Sequence, residues 1–348
     1  MKPSSISRRF FGGLFGAVCA LALSSLPVMA QDGAAPDPLA SWNDGAAKQA
    51  ITDFVRDTTT AGKPTFVPPA ERIATFDQDG TLWVSHPIYT QVVYCLERVP
   101  AVVAQRPELR NVEPFKTVLS GDRAAIARLS TKDLEKILAA TLSGMSVEDF
   151  NADAAAWIAR AKHPRFDRLY TDLVYQPMLE LLGYLRANGY KTYIVTGGGQ
   201  DFVRVYSERV YGIPPEQVVG SAGGTKFGYR PDGTPFLTKE PKLLLNDNNA
   251  GKPEGIHLMI GRRPMAAFGN STGDRQMLEY TTAGPGARLG MLILHDDGPR
   301  EFAYGPARGL PDTRIGTFPQ ALYDEAGKRG WVVVSMKNDW KRIFAFER

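Results

Sequence analysis

Ile73-Ala74-Thr75-Phe76-Asp77-Gln78-Asp79-Gly80-Thr81-Leu82 is the stretch on which the reading of this chain turns. Ile73 to Phe76 is short, apolar and preceded by Pro64, Pro68 and Pro69, which stop any helix, so it reads as a buried strand. The strand runs directly into two carboxylates with one residue between them and a glycine after them. Asp and Gly are common in turns, and a polar turn that simply ends a strand is the plain alternative. The chemical reading is that Asp77 and Asp79, presented together at a strand end, can converge on one bound ion and one reacting atom.

Downstream, Lys191 to Val195 forms a second strand candidate. It follows a helix in which Met178, Leu181, Leu182 and Leu185 share one face and Gly189 closes the end, and it runs into Thr196 and three glycines. Val218 to Gly220, Ala266 to Phe268, Leu289 to Leu294 and Trp331 to Ser335 are further strand candidates. Helix-like stretches such as Ala46 to Arg56, Gln200 to Tyr211 and Asp274 to Thr282 lie before and between them. This alternation predicts an α/β fold with a Rossmann-like parallel sheet and helices on both faces. About 110 residues separate the first two strands, far more than one crossover needs. Ile88 to Val99, Ala124 to Leu142, Val147 to Trp157 and Asp167 to Tyr175 all carry helical spacing, so residues 84–175 are expected to form a helical cap inserted after the first catalytic strand. The core would then comprise residues 31–83 and 176–348. Within it, a small hairpin insertion near 226–250 turns at Asp232 and Gly233.

Three later pieces carry chemistry. The Thr196 hydroxyl, with the free N–H groups around Gly197, Gly198 and Gly199, suits a phosphoryl oxygen, although a threonine there can equally be a helix cap. Lys252 lies in Gly251-Lys252-Pro253-Glu254-Gly255-Ile256, just before a helix-like stretch; an isolated lysine is usually a solvated charge, and Lys242 is its nearest competitor. The fourth piece, Gly269-Asn270-Ser271-Thr272-Gly273-Asp274, follows the Ala266 to Phe268 strand.

In this order, the four pieces resemble the signatures of haloacid dehalogenase superfamily hydrolases, in particular their phosphoserine-phosphatase-like branch. The resemblance spans about Ile73 to Leu294. It implies a phosphomonoesterase in which Asp77 is the nucleophile and Asp79 the general acid and base, with Thr196, Gly197 and Lys252 holding the phosphate. It further implies Mg2+ held by Asp77, Asp79 and the last loop. There the sequence departs from the commonest pattern, with Asn270 filling the first acidic place and Asp274 the only carboxylate, so both are candidate ligands; Asn is an acceptable oxygen donor to magnesium. Dehalogenases of this type lack the second aspartate, so Asp79 favours phosphate chemistry. A phosphotransferase using the same aspartyl-phosphate, and a catalytically silent ligand-binding relative, are the alternatives. The expected substrate is a small organic phosphate.

Composition sets the remaining bounds. With 43% hydrophobic and 22% charged residues the chain can bury a core and shows no bias toward disorder. Lys2, Arg8 and Arg9, the apolar run Phe10 to Leu23 and the small-residue end Val28-Met29-Ala30 read as a cleaved signal peptide over residues 1–30. Ser7-Arg8-Arg9-Phe10-Phe11 resembles a twin-arginine export signal, which would place the protein in the periplasm or outside the cell. The run is too short for a membrane span, which takes roughly 20 residues, so no stable anchor is expected. Cleavage would remove three basic and no acidic residues, taking the net charge from +4 to +1, and with it any electrostatic footprint for nucleic acid. It would also remove Cys19 and leave Cys95 alone, so no internal disulfide is expected. His86, His163, His257 and His295 have no metal-ligand spacing and read as surface or packing residues. Trp83, Tyr89, Trp157, Tyr170 and Tyr175 read as core aromatics more than pocket walls, and His295-Asp296-Asp297 as a solvated loop more than a second metal site.

Overall fold

The computed structural model describes residues 36–347, so the signal peptide read over residues 1–30, its twin-arginine motif and Cys19 lie outside the described residues. In chain order the principal elements are α1 (Ala46–Thr59), β1 (Ile73–Phe76), α2 (Thr90–Gln105), α3 (Phe115–Leu119), α4 (Arg123–Ala127), α5 (Thr131–Thr141), α6 (Val147–Ile158) and α7 (Gln176–Ala187). There follow β2 (Lys191–Gly199), α8 (Gln200–Arg204), α9 (Ser207–Tyr211), β3 (Val218–Tyr229), β4 (Pro235–Leu245), α10 (Gly251–Met259), β5 (Ala266–Gly269), α11 (Arg275–Thr282), β6 (Leu289–Leu294), α12 (Gln320–Arg329) and β7 (Val332–Ser335).

The strands form one sheet in the order β4-β3-β2-β1-β5-β6-β7, parallel throughout except for the edge strand β4. Apolar runs such as Leu289 to Leu294, buried at every position, are what a strand covered on both faces requires. Successive side chains divide between two cores. Phe76, Ile194, Phe268, Met291 and Ile293 pack on one face with Ile51 and Phe54 of α1 and Leu181 and Leu182 of α7. Val195, Val219, Ala267, Leu292 and Leu294 pack on the other with Ile256 of α10, Met277 and Leu278 of α11 and Leu322 of α12. The period-two alternation of a strand thus places helices on both faces.

β1 lies in the middle, flanked by β2 and β5, and the order of the chain reverses across it. That reversal opens a crevice at the carboxyl end of the sheet, where ligands of doubly wound folds bind. In-register pairing brings the strand ends together: Phe76 opposes both Ile194 and Phe268, and the Phe76 and Phe268 rings stack at 4.4 Å.

Helices α2 to α6 fill the long segment between β1 and β2, with two departures from the expected boundaries. The stretch 124–142 is two helices, because Ser130 and Asp133 form a capping box that starts α5 afresh. Asp167 to Tyr175 is not an α-helix. Asp167 sits in the left-handed region at φ 48°, Tyr170–Asp172 is a single 3-10 turn, and Val174 and Tyr175 bridge to Trp83 and Phe344 in extended conformation. Its apolar residues are buried because the loop crosses the core, which imitates helical spacing. The hairpin of β3 and β4 turns at Asp232 and Gly233 as expected, and its Lys239 exchanges backbone hydrogen bonds with Gly144 and Met145 ahead of α6. Among the described residues no helix is long and apolar enough to cross a membrane.

Candidate active site

Asp77 follows β1 directly, and its N–H donates to the Phe268 carbonyl at 2.8 Å, continuing the sheet by one bond. The chain then turns sharply at Gly80, whose φ of 82° and whose Cα, so near Asn270 that a Cβ would lie 2.1 Å from the amide nitrogen, together exclude any side chain. This turn folds Asp79 back beside Asp77.

Thr196 and the glycines after it extend β2 rather than opening a helix. The pairing with β3 slips between Thr196 and Gly199, so Gly197 and Gly198 bulge toward the cavity. The Thr196 hydroxyl accepts from the Gly198 N–H at 3.0 Å, and the Gly197 carbonyl accepts from the Ser221 hydroxyl at 2.8 Å. Lys252 stands in the first turn of α10, inside the helix rather than ahead of it, and is buried. Its three donors are all used: Asp77 Oδ1 and Asp274 Oδ1 accept at 2.6 Å and the Val195 carbonyl at 2.8 Å. The lysine therefore neutralises two buried carboxylates and ties the ends of β1, β2 and the loop after β5 into one unit. The competitor Lys242 lines the same cavity from the hairpin but makes no such bonds.

Asp274 turns its second oxygen to the Asn270 and Ser271 N–H groups, at 2.9 and 3.0 Å. Both of its oxygens are thus occupied, by Lys252 and by its own loop. Asn270 faces the other way. Its Oδ1 lies 3.3 Å from Asp77 Oδ2 and 3.2 Å from the Asp79 carbonyl oxygen, with no hydrogen between them. Three facing acceptors repel unless a cation sits among them or the amide turns over to present its NH2, which would then donate to both. A carboxylate, a carbonyl and an amide oxygen are the hard donors that Mg2+ takes, so the residues present fit the ion. Among the described residues no group of three or more His, Cys, Asp and Glu side chains could hold a metal ion.

Burial dominates the electrostatics. It pushes the Asp79 carboxyl up to about 6, against the Trp83 indole N–H, which donates to Oδ1 at 2.7 Å, and the Lys252 charge. Burial and the negative Asp274 push Asp77 upward too, opposed by Lys252. Burial would lower Lys252, but Asp274 and Asp77 more than offset it and hold the ammonium above its ordinary value.

The site closes one end of a cavity of about 650 Å³. Asp77, Asp79, Thr196, Gly197, Lys252 and Asp274 line it from the sheet; Val92, Leu138 and Phe150 line it from the inserted helices, and Leu243 from the hairpin. Of the five aromatics noted in the sequence only Tyr89 reaches the cavity, the others being buried in the core.

Sequence reading passed over the support beneath the Asp77 to Thr81 turn. His295 is buried, not solvated: Nε2 lies 2.7 Å from the Gly80 carbonyl and Nδ1 3.1 Å from Glu301 Oε2, while the ring stacks on Tyr304. Asp296 binds Ser335 and the Lys337 N–H, and Asp297 pairs with Arg300, so neither is free for a second metal. His86 and His163 are buried packing residues and His257 is exposed. Asp247 is fully buried, and burial raises it to about 7 against the Lys252 charge and the Thr196 backbone N–H.

The sequence matches the haloacid dehalogenase-like hydrolase family over residues 74–279. No curated protein matches the chain. Among solved structures, a protein of unknown function from Bordetella pertussis Tohama I is 15% identical, with 76% of this chain and 98% of that one covered and a TM-score of 0.45. A phosphoserine phosphohydrolase-like protein from Francisella tularensis subsp. tularensis SCHU S4 is 17% identical over 65% of this chain and 89% of its own, with a TM-score of 0.35. Cytosolic 5'-nucleotidase IIIB, bound to cytidine, is 14% identical over 82% and 91%, with a TM-score of 0.38.

Proposed function

The chain belongs to the haloacid dehalogenase-like hydrolase family, and from that premise we propose that it is a Mg2+-dependent phosphomonoester hydrolase acting on a small organic phosphate through an aspartyl-phosphate at Asp77. The observation that carries the reading is the division of labour around Asp77. One oxygen is held by Lys252 at 2.6 Å, and the other lies 3.3 Å from Asn270 Oδ1, which itself lies 3.2 Å from the Asp79 carbonyl oxygen. Held through Lys252, the carboxylate can present an oxygen to phosphorus in a fixed direction.

Asp77, the Asp79 carbonyl and Asn270 would hold the magnesium ion, which when bound offsets the repulsion between carboxylate and phosphate. Asp79, raised to about 6, is suited to hold a proton for the leaving oxygen and, once deprotonated, to take one from water in the second half-reaction. The Thr196 hydroxyl and the bulged backbone at Gly197 offer donors for the phosphoryl oxygens, with the Gly198 N–H orienting the hydroxyl, while Lys252 supplies positive charge behind the nucleophile. Asp274 serves this arrangement by positioning Lys252 and the Asn270 loop. Export through the signal peptide would place the enzyme in the periplasm or outside the cell.

The test is hydrolysis of an aryl phosphate by the mature protein with and without Mg2+, wild type against Asp77→Asn, both checked for folding. Turnover that needs Mg2+ and is lost in Asp77→Asn supports the reading. Metal-independent turnover, or turnover that survives Asp77→Asn, overturns it. Transfer of the phosphoryl group to an added alcohol in preference to water would identify a phosphotransferase instead.

A further inference from the structure

The inserted segment brings the polar side chains of Tyr89, Gln91, Glu135 and Ser143 to the cavity, and among these Gln91 bonds the glycine bulge. Gln91 is the second residue of α2 and is 8% exposed, its remaining surface facing the cavity. Its Oε1 accepts from the Gly199 N–H at 2.7 Å, across 108 residues of sequence. That donor fixes which way the amide points, because the carbonyl oxygen must face the N–H. The fit is close: a Cβ on Gly199 would lie 2.5 Å from Gln91 Nε2. A Cβ on the neighbouring Gly198 would have Thr196 Oγ1, Gln91 Oε1 and Asp79 Oδ2 all within 4 Å. The amide therefore stands among the residues that the preceding section assigns to the phosphoryl group. Its Nε2 has no protein acceptor among the described residues.

We propose that Gln91 is the substrate contact contributed by the inserted helices, with Oε1 holding the glycine bulge in place and Nε2 donating to a phosphoryl oxygen of the substrate. The inference rests on the phosphatase reading. A neutral amide suits both tasks at once, since it can accept from a backbone N–H and donate to an anion. It also ties occupancy of the site to the position of α2: phosphate and the Gly199 N–H are gripped by opposite ends of one amide.

Gln91→Glu separates the two tasks. It keeps an acceptor for Gly199 but replaces the donor with a negative oxygen against the phosphoryl group; Gln91→Ala removes both. A hydrogen bond to a charged group corresponds to about tenfold to hundredfold in affinity or rate. The expected result is that Gln91→Ala lowers kcat/KM roughly tenfold and Gln91→Glu lowers it further, with unchanged melting temperatures. The affinity for inorganic phosphate, measured by calorimetry with Mg2+, should weaken in the same order. A role confined to holding the bulge would leave Gln91→Glu at wild-type kcat/KM and wild-type phosphate affinity, and that result overturns the proposal. If Gln91→Ala fails to fold, Gln91→Met, which keeps the length of the side chain, replaces it. If wild type binds phosphate but hydrolyses no phosphate ester, the phosphatase reading fails while the phosphate affinity of Gln91→Glu still decides the role of Gln91. If wild type neither binds nor hydrolyses, both fall.

Discussion

Replacing Lys252 by Met should be among the most damaging single changes in the protein, for reasons of stability as well as chemistry. The methionine keeps the bulk of the side chain but leaves Asp77, Asp274 and the Val195 carbonyl without the ammonium that now bonds all three at 2.6 to 2.8 Å. Both carboxylates lie within 10% of full side-chain burial, so solvent cannot take its place. Removing one partner of a buried ion pair costs about 3–5 kcal/mol, because an uncompensated charge is left behind. Set against a total stability of about 5–15 kcal/mol, this is a large fraction. The attribution is tested by a cycle in which Asp274→Asn is added. Neutralising one of the stranded carboxylates should make Lys252→Met/Asp274→Asn more stable than Lys252→Met alone, with a coupling of about 0.5–3 kcal/mol. Urea unfolding followed by tryptophan fluorescence, in buffer with chelator so that no cation stands in for the ammonium, reads both numbers. Lys252→Met within about 1 kcal/mol of wild type, or a double variant no better than the single, would refute the idea that charge compensation by Lys252 holds the strand ends together.

Asn270→Ala removes one of the three facing oxygens and should raise the Mg2+ concentration for half-maximal activity by about tenfold or more, seen in a magnesium titration at saturating substrate. His295→Leu frees the Gly80 carbonyl that helps to fix the Asp77 to Thr81 turn and removes one of the partners of Glu301; kcat should fall by up to about a hundredfold. His295→Gln should recover part of this loss, because an amide can still donate to that carbonyl. At the surface, Arg275 and then Arg329 hold Glu325 down at about 2. A depressed folded-state value means that the stabilisation is present above the unfolded value of 4.5 and is lost as pH falls toward 2. Glu325→Gln should therefore cost less than about 1 kcal/mol at neutral pH, and the difference should fade across that acid range in urea unfolding.

The parts of the site that were legible in the sequence are those that local patterning controls. Asp77, Thr196 and Asn270 each follow an apolar strand, and parallel, in-register strands must end at the same edge of the sheet, so three motifs far apart in the chain were bound to meet there. The presence of an insertion was readable from the length between the first two strands, and its helical character from the spacing of its apolar residues. Local spacing misled where burial came from elsewhere: Leu173, Val174 and Tyr175 are apolar because a loop crosses the core, and no helix forms. What pins the motifs was not legible. His295 reaches Gly80 across 215 residues, Gln91 reaches Gly199 across 108, and nothing in the spacing of a lone histidine or glutamine marks such a partner. The break before α5 could have been found, since Ser130 and Asp133 have capping-box spacing.

The central claim is that Asp77 carries the phosphoryl group during turnover. Asp79→Asn should trap it there, because an aryl phosphate expels its leaving group without a proton while the second half-reaction still needs Asp79 to take a proton from water. The measurement is mass spectrometry of the acid-quenched variant after incubation with aryl phosphate and Mg2+, followed by peptide mapping. The account predicts one added phosphoryl group on the peptide containing Asp77, absent without Mg2+ and absent in Asp77→Asn/Asp79→Asn. A phosphoryl group on any other side chain, or steady turnover by Asp77→Asn, would contradict it.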